Sequence, residues 1–214
     1  MTKQFFLGIA ALLATLIATP VFAQSDVPEE SAYALQNMFA VTRDKLWECN
    51  DKFWHRGEYE RCIAMMRLIT QVDPHDMDAY DNGAWLMQNQ LRDEDAEAFL
   101  LDGLPGNSDT YDIYFALGYF YYIHERPDEA IDYLAIAVTL EPPMFAWHTL
   151  AHAYEYAGDV DSALSVWTLR AAVDPDNPVP HIQIDRIMSG EPPSDTPGMV
   201  SRAREERKAR AGIQ

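Results

Sequence analysis

The stretch "YFALGYFYYIHERPDEAIDYLAIAVTLEP", residues 114–142, decides how the rest of the chain is read. It holds two amphipathic stretches of helical period, separated by "HERPDE". Pro127 fits the first position of a helix, with acidic Glu129 in the first turn. Pro142 closes the segment, because proline cannot continue a helix. Gly118 and Ala130 stand twelve apart, one small residue in each half. Small residues at facing positions let two antiparallel helices approach closely.

The same twelve-residue pair recurs along the chain as Asn50/Cys62, Ala84/Ala96 and Ala151/Ala163. Steps from Cys62 to Ala96 to Ala130 to Ala163 are 34, 34 and 33 residues. Pro74, Pro142 and Pro175 keep the same clock, and a fixed period of this length marks a repeat architecture. In the third unit the pattern runs Tyr114, Leu117-Gly118, Tyr121, Ala130, Leu134, Ala137, Pro142. The fourth reads Trp147, Leu150-Ala151, Tyr154, Gly158, Ala163, Trp167, Pro175. The first reads Leu46, Cys49-Asn50, Phe53, Gly57, Cys62, Met66, Ile69, Pro74. The second is the most degenerate: Tyr80, Gly83-Ala84, Met87, Ala96 and Leu100, then Gly103 and Ser108 where Ala and Pro stand elsewhere.

This pattern resembles the tetratricopeptide repeat (TPR), over about two-thirds of the chain beyond its leader. The resemblance implies an all-α fold, an α-solenoid wound as a right-handed superhelix of antiparallel helix pairs. The units are set at 43–76, 77–110, 111–143 and 144–177. Residues 24–42 read as an N-terminal capping helix and 178–190 as a helix covering the last unit. The solenoid domain is therefore 43–190. One unit cannot bury its own apolar face, so several must stack.

Outside the repeats, "MTKQFFLGIAALLATLIATPVFA" opens the chain. Lys3, a 14-residue apolar run from Phe5 to Ala18, and "VFA" before a cut after Ala23 read as a signal peptide, residues 1–23. The run is short for a bilayer span. An exported bacterial protein of the periplasm or the exterior is expected, without stable membrane insertion after cleavage. Residues 24–190 carry ten Lys and Arg against 30 Asp and Glu. That excess disfavours nucleic acid and anionic lipid surfaces and favours basic or apolar protein partners. The end of the chain, 191–214, is different: a proline-rich linker, then Arg202, Arg204, Arg207, Lys208 and Arg210. It is expected to be a flexible basic tail, either solvated or docked on an acidic surface.

The resemblance also implies where a ligand would sit: a concave face lined by the first helix of each unit. The residues at those positions are Asp44, Trp47, Asp51, Trp54 and His55, then Asp78, Asp81, Trp85, Gln88 and Asn89. The third and fourth units give Asp112, Phe115, Tyr119, Tyr122, Ile123, Phe145, His148, His152, Glu155 and Tyr156, with Glu48 and Asn82 adjoining. Aromatics on an open face tend to anchor a bound segment. Interleaved carboxylates suit Lys and Arg. Family members that clamp a C-terminal carboxylate use Lys, Asn and Arg at comparable places. Here Trp47, Asp51, Asp81 and Asp112 stand there, which argues against such a clamp. The expected function is a non-enzymatic scaffold or adaptor holding a protein segment, with no cofactor and no metal. A glycan- or small-ligand-binding module on the same face is the first alternative.

"HTLAHAYE", 148–155, raises a second alternative, a metal-dependent enzyme. His148, His152 and Glu155 share one helical face, and His with carboxylate can hold zinc. The repeat accounts for the spacing without a metal, because these are groove positions. The histidines would then make that part of the groove sensitive to pH. Cys49 and Cys62 occupy neighbouring helices of one unit. An exported chain permits a bridge between them, and two buried thiols fit equally.

Overall fold

The computed structural model describes residues 28–192, 202, 205–210 and 212. The leader expected at 1–23 and the cut after Ala23 lie outside the described residues. So does most of the linker after Pro192.

The chain forms α1 (Glu29–His55), α2 (Tyr59–Val72), α3 (Met77–Asn89), α4 (Asp93–Gly103), α5 (Tyr111–Ile123), α6 (Pro127–Ala137), α7 (Met144–Ala157), α8 (Val160–Val173) and α9 (Pro178–Met188). No strand occurs among the described residues. Each helix packs on its chain neighbours, and α5 also touches α3 and α7, so the odd-numbered helices line up side by side. This is the α-solenoid of helix hairpins that the 34-residue clock implies. Asn50, Cys62, Ala84, Ala96, Gly118, Ala130, Ala151 and Ala163 are all buried at the helix crossings. A methyl built on Gly118 would lie 2.5 Å from Leu134 Cγ, so only hydrogen fits between α5 and α6.

The turn between the helices of a hairpin needs one left-handed residue. Gly57 (φ +70°) and Gly158 (φ +85°) take it in the first and fourth units, where glycine carries no Cβ penalty. Leu91 (φ 62°) and Glu125 (φ 59°) take the same register position in the second and third. The turn geometry is thus set by the fold even where the sequence offers no glycine.

Helix starts are fixed by local polar groups. Asp76 Oδ1 accepts from the Ala79 amide at 3.0 Å, Asp159 Oδ1 from Ser162 at 3.1 Å, and Asn177 Oδ1 from Val179 at 3.0 Å. The degenerate second unit closes differently from its neighbours. A 3₁₀ turn, Leu104–Gly106, follows α4, and Asn107 is buried behind it. Its Nδ2 donates to Pro74 O at 2.7 Å and Gly103 O at 2.9 Å, tying two unit ends together.

Two expectations need correction. Residues 28–42 are not a separate cap. They are the first half of α1, which runs 27 residues without a break because no Gly or Pro separates the cap from the first repeat helix. That half leaves Tyr33, Met38 and Phe39 exposed rather than covering the first unit. The cysteines form neither a bridge nor a buried pair. Both are free, with Cys62 buried and Cys49 exposed. Asn50, one residue further round α1, faces Cys62, whose Sγ lies 3.9 Å from Asn50 O. A helical step of about 100° turns Cys49 away from α2.

Candidate functional site

The aligned odd-numbered helices form one wall, and between α3 and α5 that wall opens into a groove of about 700 Å³. Trp54 enters from the end of α1. From α3 come Asp81, Asn82, Trp85, Gln88 and Asn89. From α5 come Phe115, Tyr119, Ile123 and His124. These sites recur at i, i+4 and i+8 because only one face of each first helix is turned inward.

The groove is aromatic on both sides. Trp54 and Trp85 have ring centroids 6.0 Å apart, and Tyr59 meets Trp54 edge-on at 5.6 Å. Opposite them Phe115 stacks on Tyr119 at 5.9 Å and meets Phe145 edge-on at 4.7 Å. Trp85 keeps 52% of its surface open, although it belongs to a hairpin that has an apolar core available. Aromatic surface left open in this way has not been absorbed by folding.

Three amides and a carboxylate supply the acceptors of the groove. Asn82 Nδ2 donates to Asp78 O at 2.7 Å, Gln88 Nε2 to Ala84 O at 3.2 Å and Asn89 Nδ2 to Trp85 O at 2.9 Å. One N–H of each amide is thus held by its own helix, which leaves the amide oxygen and the second N–H to face a ligand. Asp81 adds a carboxylate. Its surface is open, yet it sits in a concavity walled by protein. Loss of hydration there pushes its pKa up to about 6, helped by Asp112 and Asp78. Asp81 is thus a carboxylate held above its usual range by desolvation and by neighbouring carboxylates. His124 is pushed below its usual range, first by burial and then by Arg126.

Of the residues expected in the groove, the structure brings together Trp54, Asp81, Trp85, Asn89, Phe115 and Tyr119, with Phe145 extending the aromatic side. Others have different work. Trp47 donates from Nε1 to Asp76 Oδ2 at 2.9 Å, which ties α1 to the cap of α3. Asp44 is held by Arg43 at 3.0 Å, and Asp51 faces His55 at 3.4 Å. Asp78 is exposed beside the groove. Tyr122 is half-buried against the core, and Tyr156 lies exposed at the end of α7.

His148 and His152 belong to the last interface rather than to the open groove. Their rings pack on buried Trp167, with centroids at 5.0 and 5.3 Å. Glu155 is nearly buried, and both its oxygens accept from Arg186 Nη2 of α9, at 2.7 and 2.6 Å. The helix over the last unit therefore closes the fourth unit's share of the concave face. Burial, then His152 and Arg170, push the His148 pKa below the usual imidazole range. With Glu155 committed to Arg186, the trio is an interface cluster. Among the described residues no group of three or more His, Cys, Asp or Glu could hold a metal ion.

His124 lines the groove and was missing from the sequence reading, and Arg207, named there only as part of the basic tail, lines it too. His124 ends α5 one residue beyond the repeat positions. Arg207 is far away in sequence, and only its basic neighbourhood signalled it.

The geometry defines a class: a helix-hairpin solenoid with an open aromatic groove that also holds a carboxylate and amide groups. Solved structures agree on the fold. One of MamA has a TM-score of 0.55 at 19% identity, covering 75% of this chain and 96% of that one. One of Pseudomonas aeruginosa PilF has a TM-score of 0.57 at 19% identity, covering 82% and 79%. One of YrrB, described as a TPR protein with an unusual peptide-binding site, has 0.50 at 15% identity, covering 72% and 85%. The chain thus has the TPR fold that its repeat pattern resembles. No family model and no curated protein matches it. Among the described residues no helix is long and apolar enough to cross a membrane.

Proposed function

We propose that this chain is an exported, non-enzymatic scaffold or adaptor that holds a segment of a partner protein in the groove between α3 and α5. One observation carries the reading: Trp54, Trp85 and Tyr119 stay exposed around a groove of about 700 Å³ whose amide groups present oxygens. Rigid aromatic faces give contact area at little entropic cost, and oxygen acceptors select donors. The preferred segment therefore carries Lys or Arg among apolar residues. Support for a peptide ligand comes also from the fold's resemblance to YrrB. Export rests on the leader read from residues 1–23. The scaffold reading is favoured over a metal-dependent enzyme because Glu155 is bound to Arg186 and the neighbouring imidazoles pack on Trp167.

The test is a pull-down from a bacterial envelope extract with the full chain and with its Trp85→Ala/Tyr119→Ala variant. Both residues are exposed, so the variant should keep its melting temperature and helical circular dichroism. The expected result is a protein band retained by the full chain and lost by the variant. The same partner held equally by both would refute a role for the groove. Binding to polysaccharide preparations that survives high salt would move the function to glycan.

A further inference from the structure

Residues 205–210 are helical, and Arg207 among them lines the groove. Arg207 Nη1 donates to Asn89 Oδ1 at 3.0 Å, across 118 residues of sequence. Lys208, paired with Glu205 at 2.8 Å, lies near enough to His124 for its charge to disfavour the imidazolium. Arg207 is the one Lys or Arg lining the groove among the described residues. Its donor meets one of the amide oxygens that the α3 helix leaves unspent, in a groove where Asp81 also lacks a cation of its own helix. The tail is basic while residues 24–190 carry 30 acidic residues against ten basic ones. Charge, donor–acceptor match and contact all coincide at one place.

We infer that the groove's resident ligand is the chain's own C-terminal segment around Arg207 and Lys208, and that an external partner is a basic helical segment of the same chemistry that must displace it. This rests on the groove reading above and specifies its ligand. The guanidinium donates from Nη1 to the Asn89 oxygen, and Trp85 and Tyr119 line the pocket around it. Tethering keeps the tail at an effective concentration on the order of millimolar. A weak contact then suffices to keep the groove filled, and a partner binds only if its own contacts exceed that competition.

The test uses a fluorescein-labelled synthetic peptide of residues 201–214, titrated by fluorescence anisotropy against two full-length proteins. One is the unaltered chain; the other carries Arg207→Glu and Lys208→Glu. These side chains lie at the surface of the tail, and matching melting curves establish that the fold is intact. The charge-reversed chain, with its own tail expelled, should bind the peptide about tenfold more tightly than the unaltered chain. Adding Asn89→Ala to the charge-reversed chain should weaken that binding, and so should raising the salt concentration. Equal binding by the two chains would overturn residence of the tail in the groove. No binding by either would show that the groove does not take this chemistry. Either failure leaves the pull-down free to succeed, because an envelope partner lost with Trp85→Ala/Tyr119→Ala needs no tail.

Discussion

Gly118→Ala is the substitution on which helix propensity and packing disagree most sharply. Gly118 lies inside α5, where alanine should stabilise by about 1 kcal/mol through lost backbone entropy in the unfolded chain. The structure reverses the sign. A Cβ there would sit 2.5 Å from Leu134 Cγ, 2.9 Å from Leu134 Cδ2 and 3.2 Å from the Ala130 carbonyl oxygen. Leu134 is fully buried, so it has no solvent to swing into. The Ala130 oxygen belongs to α6, so relief requires the α5–α6 pair to spread. Overpacking of this kind costs about 1–3 kcal/mol, so against that gain the net effect is a loss of about 0–2 kcal/mol. In thermal melts that is roughly 2–4 °C per kcal/mol for a chain of this size. A double-mutant cycle isolates the cause. Leu134→Ala alone should cost about 2–5 kcal/mol by opening a cavity. In that background Gly118→Ala gains room for its methyl and should become neutral or stabilising. Urea unfolding of the four proteins gives the coupling. If Gly118→Ala stabilises the unaltered chain, or if the effects add within about 0.5 kcal/mol, close helix approach is not what Gly118 supplies.

Three further outcomes follow from the electrostatics. Asp81 has its folded pKa raised to about 6, so between about pH 4 and 6 the folded state holds more protons than the unfolded one. Its contribution therefore favours folding at low pH and is lost as pH rises through 6. Asp81→Asn should remove that part of the slope in urea unfolding between pH 4 and 7, and an unchanged slope would refute the assignment. Peptide binding should run the opposite way and strengthen as pH rises through 6, because only ionised Asp81 attracts a cation. At the other end of the solenoid, Arg186→Ala leaves nearly buried Glu155 without the guanidinium that both its oxygens now contact. Removing one partner of such a pair costs about 3–5 kcal/mol, and Arg186→Ala/Glu155→Gln should recover part of it in a urea titration. A loss under about 0.5 kcal/mol would mean that the pair behaves like an exposed one.

The sequence by itself determined the hairpins, their number of residues and which small residues meet. Those features repeat, and the Asn50/Cys62 through Ala151/Ala163 pairs are read directly from a fixed spacing. The resemblance of that pattern to the TPR implied a concave face on each first helix, which is how Trp54, Asp81, Trp85, Asn89, Phe115 and Tyr119 were named as groove candidates. What it could not resolve is which stretch of that face stays open. Equivalent positions differ only by their neighbours: His148 and His152 lie under Trp167 and α9, and Trp47 is tied to Asp76. Nor does spacing reveal that 28–42 continues α1, since a cap and a longer helix share one periodicity. The left-handed turns at Leu91 and Glu125 have no glycine to announce them. Arg207 is the extreme case, because a contact between residues 118 apart obeys no local period. Periodic backbone and burial are local in sequence and therefore legible there. The openness of a groove and the identity of what fills it arise from distant segments meeting, and only the tertiary structure decides them.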